Sequence, residues 1–157
     1  MADKTVSLER KVPEFALPAT GGKSWKLAGA HGRNLVVYFY PRDNTTGCTQ
    51  EGIDFRDLYA QFTQAKTEIV GVSTDNVASH EKFKDQYKFP FELLADEAQK
   101  ACRLFDVIHE KSMYGRKFMG VVRSTFLIDR EGVLRREWRK VKINGHAQDV
   151  LTAARAL

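Results

Sequence analysis

A hydroxyl and a thiol three positions apart, Thr45 and Cys48, sit in the run Tyr40-Pro41-Arg42-Asp43-Asn44-Thr45-Thr46-Gly47-Cys48-Thr49-Gln50-Glu51. A thiol acts as a nucleophile in its anionic form, so its reactivity depends on a setting that favours negative charge. The flanking sequence supplies one. Leu35-Val36-Val37-Tyr38-Phe39 is apolar and rich in β-branched and aromatic residues, which predicts a buried strand. Phe55, Leu58, Tyr59 and Phe62 recur at helical spacing and predict a helix from about Gly47 to Gln64. Cys48 therefore falls at a strand–loop–helix junction, near the first turn, where unpaired N–H groups and the positive end of the helix dipole favour an anion.

A thiolate that attacks a peroxide also needs access, and donors for the departing oxygen. The Thr45 hydroxyl can face the thiolate or the bound peroxide. Pro41 offers a rigid apolar wall with no N–H of its own. An arginine is the natural remaining donor, because its fork keeps its charge and its geometry. Residue types leave three alternatives: Arg123, just before a predicted strand Ser124–Ile128, and Arg42 and Arg56 on proximity.

The elements that must position these groups follow in order. Val12–Pro18 is extended, and Gly21-Gly22 turns it towards Ser24–Leu27 as an N-terminal β-hairpin. After the strand and helix around Cys48 come a buried strand at Glu68–Ser73 and a helix at Val77–Tyr87, with Val77, His80, Phe83 and Tyr87 along one face. A short strand at Phe91–Ala95 precedes a helix through Phe105, started by a capping box of Asp96 with Gln99. His109–Gly120 is charged and is expected to be a loop around Tyr114-Gly115. Ser124–Ile128 is a core strand, Asp129–Gly132 a turn, Val133–Trp138 its hairpin partner and Ala147–Leu157 a closing helix. Strands alternating with helices predict a partly parallel sheet, the last hairpin adding antiparallel members. The expected fold is a thioredoxin-like three-layer α/β sandwich with an N-terminal hairpin and one inserted helical unit, forming one domain over residues 1–157.

Composition narrows the function classes. The 157 residues are 43% hydrophobic and 29% charged, an ordinary globular balance that argues against disorder. Net charge is +5, but acidic residues are interleaved with the basic ones, so a solubilising surface explains it. The cluster Arg135-Arg136, Arg139-Lys140 and Lys142 alternates across both faces of a strand and lacks an aromatic RNA-binding signature, so no nucleic-acid partner is expected. Two cysteines without a C-x-x-C exclude a disulfide framework and thioredoxin-type dithiol exchange. His31, His80, His109 and His146 are scattered, and neither a metal nor another cofactor is expected. Met1–Thr5 has no apolar leader and no run is long enough to span a bilayer, which fits a cytoplasmic protein away from membranes.

Pro41-x-x-x-Thr45-x-x-Cys48 resembles the active-site motif of the peroxiredoxins. The wider context, with Phe39-Tyr40, Gly47, Thr49-Gln50-Glu51 and Phe55-Arg56-Asp57, is similar to the bacterioferritin comigratory protein (Q-type) branch. Gly71-Val72-Ser73 with Asp75, Ser79-His80 and Phe83, then Arg123-Ser124-Thr125-Phe126, Trp138-Arg139-Lys140-Val141 and Gly145-His146-Ala147, extend the resemblance over nearly the whole chain in order. It implies a thiol-dependent peroxidase acting on hydrogen peroxide and organic hydroperoxides. Cys48 would be the nucleophile, Thr45 and Arg123 would polarise the peroxide, and Pro41 would shield the pocket. Glu51 matches a position that orients this network, with a solvated first-turn glutamate as the plainer alternative; Gly47 belongs to the same motif. The branch is often monomeric, and a monomer is expected.

The chain also departs from its relatives. Where proline is common it has Thr46, which can cap the helix instead. Many relatives carry a resolving cysteine at the positions of Ile53 or Lys84, and this chain has neither. That leaves Cys102, whose spacing to Ala98, Leu104 and Phe105 suits a small buried hydrophobe. The resulting expectation is a one-cysteine cycle, in which the Cys48 sulfenic acid awaits an external thiol, either glutathione with glutaredoxin or thioredoxin. The alternatives are an atypical two-cysteine cycle resolved by Cys102, or a non-catalytic redox sensor.

Overall fold

The computed structural model describes residues 5–157, so the Met1–Lys4 part of the stretch read for a leader lies outside it. The chain runs β1 (Ala16–Ala19), β2 (Lys23–Lys26), a 3-10 turn (Leu27–Ala30), β3 (Asn34–Phe39), α1 (Thr46–Asp57), α2 (Tyr59–Gln64) and β4 (Thr67–Ser73). It continues α3 (Val77–Tyr87), β5 (Glu92–Ala95), α4 (Lys100–Leu104), β6 (Ile108–Met113), β7 (Arg116–Val121), β8 (Ser124–Ile128), β9 (Leu134–Arg139) and α5 (His146–Arg155). Seven strands form one mixed sheet in the order β2-β1-β5-β4-β3-β8-β9. β3, β4 and β5 are parallel, while β8 and β9 add antiparallel members, as the closing hairpin predicts. No helix among the described residues is long and apolar enough to cross a membrane.

Alternating side chains of the central strands feed two cores. Val36, Tyr38, Ile69 and Leu127 pack under Phe55, Phe62, Phe83, Val150 and Leu151 of α1, α2, α3 and α5. Val37, Phe39, Val70, Val72, Phe126 and Ile128 face the other way, onto Phe15, Ala101, Cys102 and Phe105. The sheet is thus the middle layer of an α/β sandwich of thioredoxin type, with the N-terminal hairpin extending one edge. The central strands are continuous apolar runs because both of their faces are covered.

Four expectations need correction. The helix over Gly47–Gln64 is two helices, broken at Leu58 (φ −99°, ψ 1°), whose N–H bonds to the Phe55 carbonyl three residues back. Neither Pro nor Gly marks that break; the bend lets Phe55 and Phe62 both pack on the sheet. α4 begins at Lys100 rather than Glu97, because Gln99 is left-handed (φ 60°). Asp96 does cap it, but by accepting from the N–H groups of Ala101 (3.2 Å) and Cys102 (2.7 Å), not through a box with Gln99. Thr46 is the first helical residue of α1 and Thr45 occupies the cap position, so Thr46 does not take the capping role. Finally, His109–Gly120 is no loop. It lies within the hairpin β6–β7, a separate two-stranded sheet whose turn has positive φ at Tyr114 (53°) and Gly115 (77°).

α1 is held against the end of α3 by a close approach at Gly52. A Cβ there would come within 2.5 Å of the Phe89 ring, itself buried against Phe91, Phe83 and Tyr87. Gly52→Ala gains at most ~1 kcal/mol of helix propensity, whereas overpacking a filled core costs about 1–3 kcal/mol. The overpacking prevails, so urea unfolding should show a lowered midpoint for Gly52→Ala. Gly29→Ala, where nothing lies within 4 Å, should leave the midpoint nearly unchanged.

Candidate active site

The antiparallel register of β3 with β8 places Phe39 opposite Ser124, so the next pair along the ladder brings Arg123 beside Tyr40. That is where β3 ends and the loop to α1 begins, at the carboxyl edge of the parallel strands, the usual place for a site in such sheets. Arg123 spans the junction with its fork. One terminal nitrogen donates to Cys48 Sγ at 3.4 Å and the other to Glu51 Oε1 at 2.6 Å. Of the three candidate arginines, only Arg123 meets the thiol. Arg42 is exposed, and Arg56 is spent on Asp57 and the Tyr87 carbonyl. Gly47 has a steric part in this: a Cβ there would lie 3.1 Å from the same Arg123 nitrogen that reaches Cys48.

Cys48 is the third helical residue of α1 and is only 2% exposed. Cys48 therefore lies in the first turn of α1, at the positive end of its dipole. Thr45 Oγ1 donates to the Arg42 carbonyl at 3.0 Å, which folds the loop and leaves its lone pairs free to accept from an incoming O–H. Pro41, Thr45 and Arg42 form one wall of a groove of about 400 Å³. The β6–β7 hairpin forms another, through Lys111, Met113, Phe118 and Met119. Lys111 donates to the Val121 carbonyl at 2.7 Å. Burial and the repulsion of Arg123 lower its pKa, opposed by attraction to Cys48. This second cation near the thiol lies in the stretch expected to be loop, and no motif in the sequence marks it.

Glu51 is not a solvated first-turn glutamate. It is 1% exposed, and burial pushes its carboxyl up to about 7, with Arg123 pulling the other way. Its Oε2 and the hydroxyl of Tyr38 have no hydrogen-bond partner among the described residues. Tyr38 stacks on Phe55, one helical turn beyond Glu51, and burial and the Glu51 charge both push its pKa up. Behind the loop, Asp43, Asp75 and His80 bring ligand-type atoms within 4.8 Å of one another, though these atoms already serve as each other's hydrogen-bond partners or those of neighbours. At the open end of the β8–β9 hairpin, His146 pairs at 2.8 Å with Oγ1 of Thr125, two residues past Arg123, and burial, with the Arg123 charge adding to it, holds its pKa down to about 4. The basic cluster on β9 is largely committed within the molecule: Arg135 pairs with Glu9 and Asp129, Arg136 covers Trp138, and Arg139 meets Glu137 and the Phe105 and Asp106 carbonyls.

The raised carboxyl of Glu51 has a defined consequence for stability. The native state holds that proton up to about pH 7, whereas an unfolded glutamate releases it near 4.5. Stability from this group therefore falls as pH rises between those values, by up to about 3 kcal/mol. Urea unfolding at pH 5 and pH 8 should show Glu51→Gln relieved of that loss, gaining on the wild type as pH rises. An equal pH response in both proteins would contradict it.

Comparison with known proteins places the chain in a family. Residues 8–137 match the family described as AhpC/TSA. Peroxiredoxin Bcp of Xanthomonas campestris pv. campestris is 45% identical over 156 residues, covering 99% of this chain and 98% of the relative. Peroxiredoxin Bcp of Bacillus subtilis is 44% identical over 147 residues, covering 94% of each. A solved structure of the Xanthomonas campestris bacterioferritin comigratory protein, described in terms of its alkyl peroxide reduction activity, superposes with a TM-score of 0.87 at 46% identity over 90% of each chain. The chain belongs to the AhpC/TSA peroxiredoxins, in their PrxQ/Bcp branch, and is a thiol-dependent peroxidase.

Proposed function

We propose that this chain is a one-cysteine peroxidase for hydrogen peroxide and organic hydroperoxides, recycled by an external thiol. The Cys48 thiolate attacks the distal peroxide oxygen, the O–O bond breaks, and Cys48 becomes a sulfenic acid while the alkoxide or hydroxide leaves and takes up a proton. Arg123, aimed by Glu51, supplies a fixed donor to sulfur and peroxide, and the first-turn N–H groups of α1 add theirs. Thr45 accepts from the peroxide hydroxyl, and Pro41 keeps water off the sulfur. The groove walled by Met113, Phe118 and Met119 gives an alkyl substituent room, in keeping with the alkyl peroxide activity described for the Xanthomonas campestris relative.

The observation that carries the one-cysteine reading is the sheet between the two thiols. Cys48 packs in the core on the Tyr38 face and Cys102 in the core on the Phe39 face. Cys102 is fully buried, and burial together with the Asp96 carboxylate pushes its thiol strongly up, the opposite of what an attacking thiol needs. Ile53 is half-buried apolar surface. Lys84 donates to Glu92 at 2.7 Å, and Glu92 also accepts from Lys23 and Thr20, so α3 is tied to the N-terminal hairpin at the position where relatives carry a resolving cysteine. A glutathione–glutaredoxin or thioredoxin thiol is then left to reduce the sulfenic acid, in a monomeric, cytoplasmic protein.

Intact mass after one equivalent of peroxide tests this reading. Wild type and Cys102→Ser should both gain one oxygen at Cys48, and excess peroxide should add more, since no internal thiol traps the sulfenate. Loss of two hydrogens that depends on Cys102 would establish an internal disulfide and overturn the one-cysteine cycle.

A further inference from the structure

Cys48 is only 2% exposed, beside the loop that runs from Pro41 through Thr45 into α1. The residue that holds this loop is Asp43, midway between Pro41 and Thr45. Its carboxylate accepts from Tyr40 Oη at 2.6 Å, Ser79 Oγ at 2.7 Å and His80 Nδ1 at 2.7 Å. Its backbone N–H donates to Asp75 Oδ2 at 2.7 Å, and Asp75 is fixed in turn by Ser73. The end of β3, the β4–α3 loop and the first turns of α3 thus converge on one loop residue.

The hydrogen count constrains this cluster. His80 Nε2 faces the Leu94 carbonyl at 2.9 Å, which can only accept. Its Nδ1 faces a carboxylate whose oxygens already accept from two hydroxyls. A neutral imidazole has one N–H and would leave one of these contacts without a hydrogen. The contacts are filled either by an imidazolium donating from both nitrogens, with Asp43 ionised, or by a protonated Asp43 donating to Nδ1. The held-down Asp43 carboxyl favours the first, with His80 and Asp43 at 0% and 4% side-chain exposure. Burial works against the Asp43 charge, but the bonds from His80, Tyr40 and Ser79 outweigh it and hold the carboxyl below its ordinary value. A buried pair of this kind loses much of its holding power when one partner is neutralised.

We propose that His80 and Asp43 are positioning residues for Cys48: their buried ion pair latches the Pro41–Thr45 loop in place around the thiol. The latch joins the loop to α3 through Ser79 and His80 and to β5 through the Leu94 carbonyl.

The test is Asp43→Asn, which keeps the side-chain shape and removes the charge. Two rates are followed on the reduced protein: oxidation of Cys48 by hydrogen peroxide, and alkylation by iodoacetamide, mapped by mass to each cysteine. Losing a charge-assisted hydrogen-bonded contact should slow oxidation and quicken Cys48 alkylation, each on the order of tenfold. Cys102 should stay protected. Ser79→Ala, which removes one donor only, should move both rates the same way by less, and it carries the test if Asp43→Asn does not fold. Nitrogen-15 spectra of the wild type should show both ring nitrogens of His80 protonated at neutral pH. Unchanged Cys48 alkylation, a parallel rise at Cys102, or a singly protonated His80 would overturn the latch. Failure of the one-cysteine cycle would appear elsewhere, as a Cys102-dependent disulfide in the wild type, with alkylation and spectra still reporting on the latch.

Discussion

The Arg123 guanidinium, one side of its fork on Cys48 and the other on Glu51, is the interaction on which the remaining architecture turns. A cation at 17% side-chain exposure is tolerable only where its hydrogens find acceptors, and a sulfur anion beside it gains a partner of fixed geometry. The antiparallel pairing of β8 with β3 brings Arg123 to the junction, and Gly47 leaves the space it occupies. Glu51 completes the contact from one turn further along α1. Apart from β8 itself, these requirements are met by β3 and α1, more than 70 positions from residue 123 in sequence.

The same site is built from parts of unequal firmness. The sheet beneath is closed on both faces by aromatic and aliphatic side chains. The loop above it contributes Pro41 and Thr45 but owes its place to polar contacts, chiefly those converging on Asp43. Polar contacts within a low-dielectric pocket hold geometry well while intact and can be lost together.

Much of this was legible in the sequence, for identifiable physical reasons. The strands that became the sheet centre are continuous apolar runs, and α3 matches its expected bounds because Asn76 caps it and Val77, His80, Phe83 and Tyr87 keep helical spacing. The motif around Cys48 marked its junction. The β6–β7 hairpin was not legible because it is solvated on both faces, so no two-residue alternation of apolar side chains betrays it. The break at Leu58 is a packing response without a local breaker, and the late start of α4 follows from a left-handed Gln99 that propensity does not announce. Glu51 admits two readings in the sequence, one orienting the network and one solvated, and only the partner strand that brings Arg123 over it separates them. The Asp43–His80 pair was likewise hidden, its members lying 37 positions apart and meeting only through the fold.

The central claim is that Arg123, by position and fork geometry rather than by charge alone, makes Cys48 a peroxidatic thiol. Arg123→Lys keeps the charge and discards the fork, so the most direct measurement is the second-order rate of its Cys48 with hydrogen peroxide, against the wild type at one pH. Loss of a preorganised donor at the reacting centre predicts a fall of about 10²–10³-fold, with the unfolding midpoint little changed. A rate within about twofold of the wild type, below the effect of removing even one such donor, would contradict the account.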